Sequence, residues 1–173
     1  MNSPYHDNIL LVGFMGVGKS AVGRHLSKRL GYYYLDTDTL IESTENCSIH
    51  DIFKQKDEAY FRRLEKHTAL WLEKSVKKSI IATGGGFFQV ENLQQIGTII
   101  WLNAPFEFIY DRLSKEEDAL QKRPLFQDKS TAKALYQTRE EAYAKVSQHH
   151  IDVSDKSLSK ITDELIEKLN LAL

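Results

Sequence analysis

Four groups of residues in this 173-residue chain have types and spacings suited to chemistry. The first is Gly13-Phe14-Met15-Gly16-Val17-Gly18-Lys19-Ser20, which fits the pattern Gly-x-x-x-x-Gly-Lys-Ser. Its glycines let successive backbone N–H groups turn toward one point with no Cβ in the way, an arrangement that suits phosphate oxygens. A lysine there reaches the outer phosphates, and the serine hydroxyl is a ligand for magnesium. Composition alone would produce the pattern in about one of 200 such chains, before its place between a strand and a helix is required. We therefore expect a nucleoside triphosphate at this loop.

The second group is "LDTDTLIE", with Asp36 and Asp38 in alternate positions at a strand end, where side chains point the same way. Beside a phosphate site, one carboxylate can organise magnesium and the other can orient or deprotonate an acceptor hydroxyl. The plainer alternative for Asp38 is to cap a helix starting near Thr39. The third group is arginine. The chain has seven arginines against sixteen lysines, so arginine is not its default surface cation. A guanidinium fork at Arg62, Arg123 or Arg139 suits a carboxylate or phosphate as lysine cannot, although each could equally be a solvated helix-face charge. The fourth group is Gly84-Gly85-Gly86, a source of inward-facing N–H groups or simply a tight turn.

Strands and helices must bring these groups together. "NILLVGF" (8–14) reads as a buried strand and "KSAVGRHLSKRLG" (19–31) as a helix with apolar residues four apart and a terminal glycine. "YYYLD" (32–36) is a second strand. Residues 39–74 are mostly helical, with breaks near Asn46 and Asp57 where both residue types tolerate a left-handed backbone. Strands follow at 79–86, running into the glycine turn, and at 97–105, where a proline suits the start of the helix "FEFIYDRL". A charged stretch (114–130), a helix, the strand "HHIDV" and a final helix complete the chain. Alternating strands and helices imply an α/β fold with a five-stranded parallel sheet covered on both faces. Ligands of such sheets bind beyond the carboxyl ends of the strands, the edge that holds Gly13–Ser20, Asp36–Asp38, Gly84–Gly86 and Asn103.

Composition narrows the partners. A formal net charge of −1 provides no basic field for nucleic acid or an anionic membrane. No apolar window approaches the ~18 residues of a membrane span, and the N-terminus lacks the pattern of a secretion signal, so a cytoplasmic protein is expected. Cys47 is the sole cysteine, which leaves no intrachain disulfide and no Cys-rich metal site. His149 and His150 read as strand residues, with no carboxylate or cysteine placed beside them. Residues 1–173 read as one domain, and without heptads or a large apolar stripe a monomer is expected. "IIWLNAP" lacks the Asn-Lys-x-Asp element of many GTPases, and the third strand ends in glycines without a Walker-B aspartate.

Taken in order, these motifs resemble shikimate kinase over nearly the whole chain. "GFMGVGKSAVGR", "LDTDTLIE", "SIHDIF…DEAYFRRLE", "ATGGG", "KRPL" and the Arg139-x-x-x-Tyr143 pair each match a family motif. The resemblance implies the three-layer P-loop NTPase fold with a helical acceptor-binding region at about 37–66 and a mobile lid at about 114–128. It implies transfer of the γ-phosphoryl of ATP to the 3-hydroxyl of shikimate, on the route to chorismate and aromatic amino acids. By position, Gly16, Val17, Gly18, Lys19, Ser20 and Ala21 would hold ATP, and Arg112 would stack on adenine. Ser20 would ligate Mg²⁺ and Asp36 would support it through water. Asp38 would hold the acceptor hydroxyl as the base, while Arg62, Glu65, Gly84, Gly85, Gly86 and Arg139 would bind shikimate. Phe61, with Met15 and Phe53, matches apolar wall positions. Arg123 would swing in with the lid onto the transferring phosphate, making it catalytic with Asp38 and Lys19.

The chain departs from the family pattern in places. Asn46 and Asp57 stand where glycine is common, Ala21 replaces a hydroxyl residue, the lid is slightly long, and "IDVSDKS" replaces an Asp-Thr that serves adenine. Two other readings remain open: a gluconate or nucleoside monophosphate kinase of the same fold, and a regulatory ATP-binding module without turnover.

Overall fold

The computed structural model describes residues 7–115, 126 and 128–171. Five parallel strands, β1 (Ile9–Val12), β2 (Tyr33–Asp36), β3 (Ser79–Ala82), β4 (Thr98–Asn103) and β5 (His149–Asp152), lie in the order β2-β3-β1-β4-β5. Every residue of β1 and β3 is buried, as continuous apolar strands require when helices cover both faces. The helices are α1 (Lys19–Leu30), α2 (Thr37–Glu45), α3 (Ile49–Gln55), α4 (Glu58–Ser75), α5 (Leu93–Ile96), α6 (Phe106–Ser114), α7 (Lys129–Val146) and α8 (Leu158–Lys168). A single 3₁₀ turn (Phe87–Gln89) and the short α5 fill the path from the glycine turn to β4, two elements too short to show a period in sequence. No described helix is long and apolar enough to cross a membrane.

Local signals set the boundaries. Gly31, in the left-handed region at φ 67°, ends α1 and donates its N–H to the Ser27 carbonyl. Asn46 ends α2 in the same way at φ 53°. Asp57 does not share that conformation. Its φ is −96°, and its side chain accepts from the Tyr60 N–H as the cap of α4. Pro105 stands at the cap position of α6 rather than inside its first turn.

The core has two parts. The larger surrounds the sheet and includes Leu10, Leu11, Ile80, Ile81, Ile99 and Ile100. The smaller, Ile41, Ile52 and Phe61, joins α2, α3 and the start of α4, with Cys47 partly buried against it. Helix α4 spans both, since Ala69 and Leu72 belong to the larger part. Phe126, at the far end of the expected lid, is buried there too, stacked 6.5 Å from Phe106 and 6.2 Å from Tyr110. At the amino ends of the strands, buried Asn8 donates to the carbonyls of Val76 (2.8 Å) and Ile96 (3.0 Å). It also accepts from the Ser79 N–H at 3.1 Å. One amide thus ties the entries of β3 and β4 to β1.

Candidate active site

The loop Gly13–Ser20 leaves β1 and turns into α1 through Gly18, whose φ of 109° excludes most other residues. Among the described residues no side chain caps α1, which leaves its first N–H groups open, the arrangement that favours an anion. The Lys19 ammonium donates to the carbonyls of Gly13 (2.7 Å) and Phe14 (3.1 Å). The Arg112 guanidinium lies across Gly18, where an added Cβ would stand 3.7 Å from it.

Two adjoining cavities open here. One of about 340 Å³ is lined by Gly16, Gly18, Lys19, Ser20, Ala21, Arg112 and Leu113. The other, about 450 Å³, shares Gly18, Ala21 and Arg112 and extends over Val17 and Phe108 to Val153, Asp155 and Lys156. The segment after β5 therefore lines the cleft even though its sequence departs from the family pattern. Asp155 takes the left-handed conformation at φ 53°, and Lys156 is fixed by Glu164 at 2.8 Å.

Asp36 and Asp38 divide the work differently from the strand-end reading. Only Asp36 ends β2, while Asp38 lies in the first turn of α2. The cap is Asp36. Its Oδ1 accepts from the N–H groups of Asp38 (3.0 Å) and Thr39 (3.3 Å). Its Oδ2 accepts from the hydroxyls of Ser20 (3.3 Å) and Tyr34 (3.1 Å). A hydroxyl and a carboxylate side by side below a phosphate loop are hard oxygen donors of the kind magnesium takes from a protein.

Asp38, relieved of capping, lies against Gly84. Its Oδ1 is buried and has no hydrogen-bond partner among the described residues. Burial pushes its carboxyl up to about 6, the nearby negative charge of Asp36 adds to the rise, and Lys19 opposes it. A buried acceptor left open costs stability, and such exceptions concentrate where a ligand supplies the missing partner.

The glycine turn explains how three charged side chains reach one place. Gly84 lies against the Asp38 carboxylate and Gly86 against the Arg62 guanidinium, so that a Cβ at either would overlap the charged group. At Gly85 a Cβ would stand 2.7 Å from Nη1 of Arg139. Thr37 accepts the Gly84 N–H at 2.8 Å, and the Tyr143 hydroxyl donates to the Gly85 carbonyl at 2.6 Å, fixing the turn from both sides. Arg62 is held by Glu65 (2.6 Å) and Glu58 (2.9 Å). Glu65 is only 2% exposed. Its burial raises the carboxyl, and Arg62 and Arg139 pull it back down. Phe53 and Phe61 sit with ring centroids 4.9 Å apart beside this group. One open carboxylate and two guanidiniums along the same glycine turn suit a small polyhydroxylated acid.

The structure thus brings together Lys19, Ser20, Asp36, Asp38, Arg62, Glu65, Gly84–Gly86 and Arg139, with Arg112 above the loop. Arg123 lies outside the described residues. Tyr34 and Thr37, which orient the two aspartates' surroundings, were not anticipated. An aromatic on a strand reads as core, and a threonine between two aspartates reads as filler.

The family model for shikimate kinase matches residues 15–170. A shikimate kinase of Helicobacter hepaticus is 42% identical over 161 residues, covering 93% of this chain and 95% of that protein. One from Persephonella marina is 37% identical over 169 residues, covering 94% and 98%. The structure of shikimate kinase from Acinetobacter baumannii in complex with shikimate superposes with a TM-score of 0.84 at 32% identity, over 96% of each chain.

Proposed function

Since the chain belongs to the shikimate kinase family, we propose a division of labour among its residues for that reaction. The enzyme transfers the γ-phosphoryl group of ATP to an alcohol, the 3-hydroxyl of shikimate, giving shikimate 3-phosphate and ADP. The observation that carries the residue assignment is the open Oδ1 of Asp38, lying on Gly84 in the cluster with Arg62 and Arg139.

The Arg62 and Arg139 forks bind the shikimate carboxylate, and that contact directs the ring's hydroxyls toward Asp38. Asp38 accepts the proton of the 3-hydroxyl as its oxygen bonds to the γ-phosphorus and the bond to the β,γ-bridging oxygen breaks. Lys19 and the backbone N–H groups of Gly16–Ser20 bind the phosphate oxygens, and Ala21 borders the same cavity. Arg112 and Val17 hold the base side of ATP. Glu65 keeps the Arg62 fork aimed, and Phe61 walls the acceptor. Ser20 and Asp36 are the residues that would hold Mg²⁺, whose charge offsets that of the β- and γ-phosphates. Arg123 completes the charge around the transferring group.

We also propose a cytoplasmic monomer, in keeping with ATP as co-substrate and a near-neutral net charge. The test is ADP release from MgATP with and without shikimate, with Asp38→Asn as control. Shikimate-dependent ADP that disappears in the variant is the expected result. Undiminished turnover in the variant would remove Asp38 from the chemistry.

A further inference from the structure

Tyr34 carries a hydroxyl that the phosphoryl-transfer assignments above do not use. It stands two residues before Asp36 on β2, so both side chains share one face of the strand. Its ring is clamped. Gly23 of α1 approaches so closely that a Cβ there would stand 2.7 Å from the ring, and the Arg24 guanidinium covers it at 4.9 Å. The hydroxyl held by this packing donates to Oδ2 of Asp36 at 3.1 Å, the same oxygen that accepts from Ser20 at 3.3 Å. The other oxygen of Asp36 is committed to the first turn of α2. Each oxygen of this carboxylate is therefore fixed by a rigid element, Oδ1 by a helix and Oδ2 by a strand.

We propose that Tyr34 is a positioning residue for the divalent-cation side of the site, locking Asp36 in the orientation that serves Ser20 and a metal-bound water. This rests on the reading that Ser20 and Asp36 hold the cation. Without the phenol, Oδ2 keeps one long hydrogen bond, and the carboxylate plane is free to turn about its cap. The ring alone supplies the packing against Gly23 and Arg24, so Tyr34→Phe removes the hydroxyl and leaves the fold's contacts in place.

The test is Mn²⁺ binding to the full-length enzyme–ADP complex, followed by the electron paramagnetic resonance of free Mn²⁺. Wild type, Tyr34→Phe and Asp36→Asn are compared, with melting temperature and metal-free ADP affinity measured on each. Tyr34→Phe is expected to weaken Mn²⁺ binding by about 5-fold, the loss of one charge-assisted hydrogen bond felt indirectly. Asp36→Asn should weaken it more. Metal-free ADP affinity and melting temperature should stay at wild-type values in Tyr34→Phe. Unchanged Mn²⁺ affinity in Tyr34→Phe, with a loss in Asp36→Asn, would overturn the role of Tyr34 alone. Unchanged affinity in both would overturn the cation site itself and Tyr34 with it. A fall in metal-free ADP affinity equal to the fall in Mn²⁺ affinity would reduce Tyr34 to a structural residue and also refute the proposal.

Discussion

The two ends of the sheet treat buried polar groups in opposite ways. At the amino ends of the strands, Asn8 places both its amide hydrogens and its oxygen on backbone partners from Val76, Ile96 and Ser79. At the carboxyl ends, Asp38 keeps a buried oxygen without a partner among the described residues, and Asp36 and Lys19 pull its charge in opposite directions. The amide converts its hydrogen bonds into stability. The carboxylate gives up stability and keeps bonding capacity for a ligand. The same fold can hold both because the sheet's core lies between them.

The largest way to break this contrast is Asp38→Asn. Losing the general base should lower turnover by about 10³-fold, with MgATP affinity nearly unchanged, as steady-state kinetics and direct binding would show. The same change should stabilise the protein, with a sign that depends on pH. The folded carboxyl titrates near 6 against an ordinary value of 3.8, so the folded state holds its proton more tightly. Stability is full below 3.8 and is lost as pH rises toward 6, by about 3 kcal/mol at most. The melting temperature of Asp38→Asn should therefore exceed wild type at pH 7 and converge on it near pH 4. A constant difference across that range would contradict the assignment.

Asn8→Ala should do the reverse. Two carbonyls and one N–H lose their partner, at a combined cost of about 2–4 kcal/mol. The melting temperature should fall by roughly 5–15 °C while kcat per folded molecule stays constant. A smaller effect is expected from Gly84→Ala, whose methyl group would displace the Asp38 carboxylate. The KM for shikimate should rise about 10-fold or kcat fall by as much, with MgATP binding preserved. Smallest of all, Thr37→Val leaves the Gly84 N–H without its acceptor. It should raise the shikimate KM by about 3-fold and lower the melting temperature by about 2–4 °C, and a change confined to ATP affinity would show that Thr37 serves the other half of the site.

Much of the site was legible because its chemistry is carried by short, ordered motifs. The loop at Gly13–Ser20, the aspartate pair and the glycine turn lie where strand-end logic puts them, and Arg139 with Tyr143, named by the resemblance, reaches the same turn from α7. The roles inside the aspartate pair were less legible. The helix begins at Thr37, two residues earlier than its apolar pattern suggests, and that shift moves the cap from Asp38 to Asp36. Asp57 read as a turn residue because its helix-capping geometry depends on where α4 starts. Asn8 reads in sequence only as the first residue of a strand. Its partners lie 68, 88 and 71 residues away, a convergence that no local pattern encodes.

The division of the core has a consequence for how the molecule opens. Ile41, Ile52 and Phe61 form a cluster of their own, joined to the core around the sheet through α4 and through Leu40 of α2. Helix α3 and the end of α2 beyond Leu40 are then expected to open and reclose more readily than β1, β3 and α1. In hydrogen exchange their amides should answer to a smaller opening free energy than those of the central strands. Asp38 rides on α2, so a ligand that fills its open valence would also raise the exchange protection of that helix, coupling acceptor capture to the ordering of the helical region around it.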